Sequence, residues 1–387
     1  MISLCRFAGF LLLAAISVVQ TAAATTLQRQ SFQALPGWAA DDHAAALHSF
    51  RLSCREILKD GAAFGRPVEF GGAKSDWDGI CSQAQQVKDA RAFFETQFPP
   101  FRVIDAARPA GLFTGYYEPE AEGSRTADRS HTVPIYGKPA DLVSFSKTQK
   151  QETGLDYGQL ANGKPLPYLS RKEIEQGGLA DRGLELVWLK DWADAFFIHV
   201  QGSGRVRLSD GSVMRLSYAA KSGRDYTGIG ALLVERGAFS REDMSMQAIR
   251  QWLRSHPKEA RELMWQNESF IFFRETELED SSLGALGAQH VQLTPQRSLA
   301  VDRSIWMFGT PVWLDTEAPT GDQGSSAPLR QLLIAQDTGT AIRGYARGDV
   351  YWGFGEHAAA VAGRMKSPGT MVVLLPNTVA TRLGLLR

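Results

Sequence analysis

The sequence is poor in cysteine and has no excess of either charge. It contains three cysteines among 387 residues, and 42 Lys and Arg balance 42 Asp and Glu. A balanced charge argues against a broad polyanion-binding surface, so we expect no nucleic acid partner. The patterns CxxC and HExxH do not occur, and the seven histidines are scattered. We therefore expect no metal site and no other cofactor.

Long apolar runs are also missing, with one exception near the N-terminus. The run FAGFLLLAAISVV follows Arg6 and precedes Ala22, Ala23 and Ala24. It is short for a membrane span, and the small residues after it are typical of a signal peptide cleavage site. We expect residues 1–24 to be a cleaved signal peptide, with an uncleaved anchor as the alternative. Since Cys5 precedes the run and no cysteine stands directly after it, we expect no lipid attachment there.

Two cysteines, Cys54 and Cys81, remain after the expected cleavage site. Exported proteins commonly use such a pair as a structural disulfide, because their compartment is oxidising. We predict that Cys54 and Cys81 are bonded to each other.

The pattern of apolar residues changes along the chain. Residues 40–99 have the spacing of apolar residues that is typical of helices, and we expect continuous helix over 82–98. From 101 onward the apolar runs are short and broken by Gly, Pro or Asp, which indicates strands, with a hairpin turn at 209–212. Helix returns at 243–266 with Ser245 as N-cap and a break at Pro257. Strands follow, with Thr316–Pro328 expected as a polar loop.

This order of helices, strands, helix and strands predicts an α+β protein in which one β domain is inserted into another. The mature chain is also longer than one ordinary core, which favours two domains. Two facing β domains leave a cleft between them, where ligands usually bind.

Three aspartates are candidates for acid/base chemistry. Asp337 and Asp349 lie among glycines beside short apolar runs, and Asp302 lies upstream in SLAVDRSIW. Carboxylates at strand ends suit proton transfer to a neutral polar substrate. The alternative is that all three are turn aspartates that accept hydrogen bonds from their own backbone.

Weaker patterns suggest other sites. The segment Gln201, Gly202, Ser203 is either a tight turn or a polar shelf in a sugar groove. Tyr116 and Tyr117 lie in a strand punctuated by glycine and either line such a groove or pack in the core. Ser144 begins an SxxK pattern, but the companion motifs of serine acyl-enzymes are missing, as is a GxSxG elbow.

Six phrases occur in order: FTGYYEP (113–119), FFIHVQGSGRV (196–206), MSMQAIRQWL (244–253), NESFIFFRE (267–275), LTPQRSLAVD (293–302) and AQDTGTAIRGYARGDVYWG (335–353). They resemble the membrane-bound lytic murein transglycosylase A family, and the C-terminal part resembles its three-aspartate domain. The resemblance implies a double-psi β-barrel domain, a second inserted β-barrel domain and a deep groove between them. It also implies cleavage of the MurNAc–GlcNAc β-1,4 bond of peptidoglycan in the periplasm.

The resemblance assigns roles to individual residues. Asp349, in RGDVYWG, matches the catalytic aspartate, Asp337 matches a neighbouring carboxylate that supports it, and Asp302 matches a third, structural aspartate. Thr340 stands where the family usually carries a glycine. Six residues in the matching motifs are expected to bind substrate: Thr114, Tyr116, Tyr117, Gln201, Gly202 and Ser203.

The implied domain division has four parts. We expect the signal peptide at 1–24, a helical part of the catalytic domain at 25–118, the inserted barrel at 119–240 and the rest of the catalytic domain at 241–387. We expect a monomer that binds peptidoglycan glycan strands. Peripheral association with the outer membrane, the rest of the cell envelope or murein synthases stays open.

The chemistry implied by the resemblance needs one acid. In a lytic transglycosylase the C6 hydroxyl of the sugar attacks C1 and forms a 1,6-anhydro ring, so Asp349 can act first as acid and then as base. Asp349 must then start protonated, and we predict that burial or Asp337 raises its pKa. The alternatives are an inverting hydrolase that uses Asp349 and Asp337, a wall-binding module without catalysis, and an acyl hydrolase at Ser144.

Overall fold

The computed structural model describes residues 25–59, 65–105, 108–240, 243–277, 280–320 and 325–386. The expected signal peptide lies outside these residues. Within the described ranges, no helix is both long enough and apolar enough to cross a membrane.

The first part of the described chain is mainly helical. Its elements are β1 Thr26–Arg29, α1 His43–Leu58, α2 Lys74–Ala84 and α3 Ala90–Gln97. The predicted helical region is confirmed, but the expectation of continuous helix over 82–98 is wrong. Helix α2 ends at Ala84, and the side chain of Asp89 caps α3 by accepting a hydrogen bond from a backbone N–H three residues on.

A disulfide joins two of these helices. Cys54 in α1 is bonded to Cys81 in α2, with their Cα atoms 5.0 Å apart. Both cysteines are buried in the apolar core between the helices and the adjoining sheet. The predicted pairing is therefore confirmed.

The chain then enters a long β-rich region. Two strands come first, β2 Pro100–Ile104 and β3 Gly111–Glu118. The strands that follow are β4 Glu120–Ser124, β5 Val133–Tyr136, β6 Val143–Ser144, β7 Tyr157–Ala161, β8 Lys164–Leu166, β9 Glu185–Leu189, β10 Ser203–Leu208, β11 Val213–Lys221 and β12 Ile271–Glu275. Their helices are α4 Lys147–Thr153, α5 Arg171–Glu173, α6 Trp192–Gln201, α7 Ile229–Glu235, α8 Met246–Ser255 and α9 Pro257–Trp265.

Six of these strands form one sheet, called here the second sheet, in the order β12-β11-β10-β4-β9-β5. A bridge between Gly137, just after β5, and Phe273 in β12 brings the two edges together, so the sheet curls into a barrel. Because β12 pairs with β11, this inserted barrel runs to Glu275. The domain division expected from the sequence stays a proposal, and this pairing favours moving its boundary from 240 to about 275.

The last part of the chain adds strands to the other large sheet, called here the first sheet, which also contains β1, β2 and β3. Its elements are β13 Ser298–Val301, β14 Pro311–Pro319, β15 Ser326–Asp337, β16 Arg347–Phe354, α10 Gly355–Ala362, β17 Lys366–Leu374 and α11 Asn377–Arg382. Strands β14 and β15 pair as far as Pro319 and Ser326. The expected loop over Thr316–Pro328 is therefore too long, because the main-chain pairing of the two strands includes both ends of this segment.

The first sheet closes into a ring, which is called here the first barrel. Its strands pair in the order β3-β16-β13-β15-β14-β17, and β17 pairs with β3 again. Buried apolar side chains fill the ring, among them Phe113, Leu299, Val312 and Val350. These short buried runs explain why the sequence reads as strands without clear alternation. The predicted fold class, an α+β protein with one β-barrel domain inserted into another, is confirmed.

Two local predictions are also confirmed. The turn at 209–212 joins the antiparallel strands β10 and β11. The side-chain oxygen of Ser245 caps α8 by accepting a hydrogen bond from the N–H of Ala248, and Pro257 begins α9.

Candidate active site

A row of four residues crosses the first barrel. The strand register places Thr114 in β3 beside Asp349 in β16, and Asp349 beside Ala300 in β13. Ala300 is in turn paired with Asp337 at the end of β15. Residues in register point to the same face of a sheet. The two carboxyl groups therefore share one face, and Ala300 occupies the position between them in the row.

This face forms one wall of a cleft of about 250 Å³. The first barrel contributes Gly115, Tyr116, Ala300, residues 337–342, Arg347 and Asp349. The inserted barrel and its helices contribute Arg171, residues 199–201, Tyr226, Asn267, Ser269 and Ile271. The cleft therefore lies between the two barrels, as the order of elements predicts.

Asp349 has one oxygen held and one oxygen free. The hydroxyl of Thr114 donates to Oδ1 of Asp349 at 2.5 Å, and Nη2 of Arg347 donates to the Thr114 hydroxyl at 2.8 Å. No described residue donates to Oδ2. Burial raises the pKa of Asp349 to about 6, Arg347 and Thr114 oppose this rise, and Asp337 adds to it.

Asp337 has both oxygens held. Oδ1 accepts a hydrogen bond from the N–H of Ala288 at 2.9 Å, and Oδ2 accepts one from the hydroxyl of Tyr116 at 2.9 Å. Burial raises its pKa, whereas the N–H groups of Ala288 and Thr338 and the Tyr116 hydroxyl lower it. Because its acceptor sites are used by the protein, Asp337 is better placed to hold Tyr116 than to activate a water molecule.

Asp302 lies outside the cleft lining. One of its oxygens accepts hydrogen bonds from the N–H and the hydroxyl of Ser304, and the other accepts one from the N–H of Gly344. Gly344 has φ +106°, a conformation that glycine adopts readily. Burial raises the pKa of Asp302, but the hydrogen bonds and the charge of Arg343 outweigh it and lower the pKa. Asp302 thus braces the turn between β15 and β16.

The other candidate residues divide between the cleft and its supports. Tyr116 and Gln201 line the cleft, and Oε1 of Gln201 accepts a hydrogen bond from the N–H of Tyr117 at 3.2 Å. The side chain of Tyr117 is buried against α10. Gly202 ends α6 with φ +74°, Ser203 begins β10, and neither lines the cleft.

Ser144 lies elsewhere. It is exposed in the two-residue strand β6, away from the cleft lining, and no hydrogen bond joins it to Lys147 within the described chain. The neighbouring Ser146 is the N-cap of α4, with Gln149 closing a capping box. Helix capping accounts for the polar residues in this segment.

Sequence reasoning missed several cleft residues. Arg347 precedes Asp349 by two residues, so strand alternation places both on one face. The sequence alone was enough to predict this position of Arg347. Thr340, which departs from the family pattern, also lines the cleft. Arg171, His199 and Ala300 carry no such signal, because their position depends on how the two barrels meet. Among the described residues, no group of His, Cys, Asp and Glu has the arrangement needed to hold a metal ion.

Comparison with known proteins agrees with this arrangement. Residues 112–274 match the family description "MltA specific insert domain", and residues 297–375 match "3D domain". Over 261 residues the chain is 34% identical to membrane-bound lytic murein transglycosylase A of Vibrio cholerae. That alignment covers 67% of this chain and 63% of the relative, which is less than two thirds of the relative's length.

Solved structures extend the similarity to almost the whole chain. A membrane-bound lytic murein transglycosylase from Agrobacterium tumefaciens is 36% identical with a TM-score of 0.83, covering 92% of this chain and 99% of that one. Escherichia coli MltA with bound chitohexaose is 29% identical with a TM-score of 0.63, covering 85% and 90%. The chain therefore belongs to the membrane-bound lytic murein transglycosylase A family.

Proposed function

We propose that this protein is a lytic transglycosylase that cleaves the MurNAc–GlcNAc β-1,4 bond of peptidoglycan. The observation that carries the proposal is the pair of carboxyl groups in the cleft. Asp349 lines the cleft, has a raised pKa and keeps one oxygen that accepts no hydrogen bond from a described residue, whereas both oxygens of Asp337 accept hydrogen bonds. The names of the relatives and the chitohexaose bound to one of them support a glycan as the substrate.

In this mechanism one carboxyl group transfers the proton twice. Protonated Asp349 donates to the glycosidic oxygen, and the bond from C1 to that oxygen breaks. The C6 hydroxyl of the same sugar attacks C1, and its proton returns to Asp349. No water is consumed, and the product carries a 1,6-anhydro ring. Because the nucleophile is part of the substrate, the reaction gains from proximity without a bound water.

The neighbouring residues prepare Asp349 for this role. Thr114 fixes Oδ1, which leaves Oδ2 as the oxygen that carries the transferable proton. Arg347 orients the Thr114 hydroxyl by donating to it. Since the pKa of Asp349 is about 6, its acid form is present below that pH and declines above it. Substrate that displaces water from the cleft favours the protonated form further.

Three other functions have less support. An inverting hydrolase needs a second carboxylate that can activate water, and Asp337 already accepts hydrogen bonds from Ala288 and Tyr116. A wall-binding module has no use for a carboxyl group with a raised pKa. An acyl hydrolase needs a base near Ser144, and Lys147 makes no hydrogen bond to it in the described part of the chain.

The test is mass spectrometry of the soluble products after the purified protein digests peptidoglycan. We expect muropeptides one water lighter than hydrolysis products, and none with Asp349→Asn. Asp337→Asn is the matched control, because it changes the other carboxyl of the same row and should retain part of the activity. Products that contain the additional water would overturn the proposal in favour of hydrolysis. Glycan binding without products from the unmodified protein would favour the wall-binding module.

The location in the cell is part of the proposal. We infer a periplasmic protein that associates with peptidoglycan, with the outer membrane and murein synthases as candidate neighbours. A monomer fits the cleft, because both of its walls come from one chain. Fractionation of cells together with N-terminal sequencing of the mature protein would test the location and the expected cleavage before Thr25.

A further inference from the structure

His199 is a buried histidine in the inserted-barrel wall of the cleft. It lies near the end of α6, is 5% exposed and lines the cleft. Its ring packs against Phe270 and Phe273, with centroids 4.2 and 5.3 Å away. Two aromatic neighbours fix the plane of the imidazole, so its nitrogens have defined directions.

The hydrogen bonding of His199 fixes its tautomer. Its Nδ1 lies 3.1 Å from the N–H of Ile271, which donates to it, so Nδ1 carries no proton. Burial and the charge of Arg171 lower its pKa well below the ordinary value, so the ring is neutral. The single ring proton therefore resides on Nε2. No hydrogen bond joins Nε2–H to a described residue, so this donor is available to a ligand in the cleft.

Among the described residues, Arg171 is the cation whose charge acts on His199, and it is already paired. The guanidinium of Arg171 donates to the carbonyl oxygens of Asn267 and Ser269 and pairs with Glu175. A carboxylate would thus find no unpaired cation here. A neutral carbonyl oxygen is the better partner for a neutral N–H in a buried position.

Apolar side chains lie beside the donor. Val200 and Ile271 adjoin His199 in the cleft lining. A ligand group that combines one carbonyl acceptor with a small apolar end matches this arrangement. The 2-acetamido group of an N-acetylated sugar has both parts, whereas a free amino group has neither.

We infer that His199 recognises the acetamido carbonyl of a sugar in the cleft through Nε2–H, with the acetamido methyl against Val200 and Ile271. His199 is then a specificity-determining residue that selects N-acetylated over de-N-acetylated glycan. This inference rests on the proposed glycan substrate but not on the chemistry at Asp349, because it concerns binding alone.

The experiment compares two ligands and three proteins. Binding of the N-acetylglucosamine hexamer and of the glucosamine hexamer is measured by calorimetry in an Asp349→Asn background, in which we expect turnover to be too slow to interfere. His199→Asn is the main variant, because its side-chain oxygen can replace Nδ1 as acceptor for the Ile271 N–H while no donor reaches the Nε2 position. His199→Gln is the matched control, because its amide N–H can approach the place of Nε2–H.

We expect the protein with His199 to prefer the N-acetylated hexamer by roughly tenfold or more. His199→Asn should weaken binding of that hexamer by roughly 5- to 10-fold and leave the other unchanged, since one hydrogen bond to a neutral acceptor is lost. His199→Gln should restore part of the preference. Equal weakening for both hexamers would indicate a purely structural role and overturn the inference. Unchanged binding of both hexamers by His199→Asn would also overturn it. So would the absence of binding of either hexamer to the protein that retains His199.

The outcome is separate from that of the proposed function. Anhydro products from the unmodified protein together with equal affinity for the two hexamers would overturn the role of His199 and leave the transglycosylase intact. Selective binding of the N-acetylated hexamer without anhydro products would support His199 and overturn the reaction.

Discussion

The two walls of the cleft differ in how their polar groups are arranged. On the first barrel, strand register aligns Thr114, Asp349, Ala300 and Asp337 across four neighbouring strands. On the inserted barrel, the polar residues come from helices and connecting segments, and the charge of Arg171 is already paired. One wall therefore carries the buried carboxyl groups, and the other carries polar groups that can hydrogen-bond neutral ligands. The difference suggests that reaction and recognition can be changed separately.

The largest expected effect removes the proton donor. Asp349→Asn keeps an acceptor for the Thr114 hydroxyl but cannot donate the proton, so activity should fall by roughly 10³-fold. The measurement is the initial rate of release of anhydro-muropeptides. Activity within tenfold of the unmodified protein would contradict the assignment of Asp349.

The same substitution should stabilise the fold. Burial raises the pKa of Asp349 to about 6, so between roughly pH 4, where the unfolded chain ionises, and that value the folded state loses stability as pH rises. Asp349→Asn avoids this loss and should raise the free energy of unfolding at pH 8 by on the order of 2 kcal/mol. Below roughly pH 4 the difference should vanish. Denaturant unfolding at the two pH values measures it, with Asp337→Asn as comparison.

The next effect fills the gap between the two carboxyl groups. Ala300→Val adds two methyl groups at the centre of the row, in a strand whose residues are all buried. The added volume should displace a sugar from Asp349 and lower activity by roughly 100-fold, while overpacking costs about 1–3 kcal/mol of stability. Ala300→Gly is the matched control and should retain activity. An active Ala300→Val protein would show that substrate does not enter between the carboxyl groups.

A smaller effect concerns the position of the acid. Thr114→Val removes the hydroxyl that donates to Asp349 and accepts from Arg347. We expect roughly a tenfold loss in kcat/KM, because the carboxyl group is less well oriented. The lost hydrogen bond stabilised the ionised form, so the pKa of Asp349 should rise. The decline of kcat/KM with pH should then move to higher pH than in the unmodified protein, whereas Thr114→Ser should restore the original profile.

The smallest effect tests the inserted-barrel wall. Tyr226 lines the cleft and is 43% exposed, so its side chain is available to a ligand. Tyr226→Ala should raise KM by roughly threefold and leave kcat nearly unchanged, because the contact is made equally in the ground and transition states. A fall in kcat with constant KM would mean that this wall takes part in the reaction, and the separation of roles would be wrong.

The sequence predicts some of this site and misses other parts for physical reasons. The sequence predicts Asp349 and Asp337 as site residues because both lie in a glycine-flanked motif. It predicts the pairing of Cys54 with Cys81 because these are the two cysteines after the expected cleavage site. His199 is not readable, because a lone histidine in an apolar helix has the pattern of a core residue. Ala300 is equally silent, since its importance comes from having almost no side chain between two strands that are distant in sequence.

The closing of the first barrel has a consequence for the order in which the two barrels fold. Thr114 and Asp349, whose side chains are hydrogen-bonded, are 235 residues apart in the chain, and the ring also needs β17 to pair with β3. The strands of the inserted barrel lie closer together in sequence, so its contacts can form before those that close the first barrel. Thr114 and Asp349 meet when β16 joins β3, and the ring around them closes when β17 joins β3. A chain truncated before β17 therefore keeps the strands of the inserted barrel but leaves the first barrel open at β3 and β14.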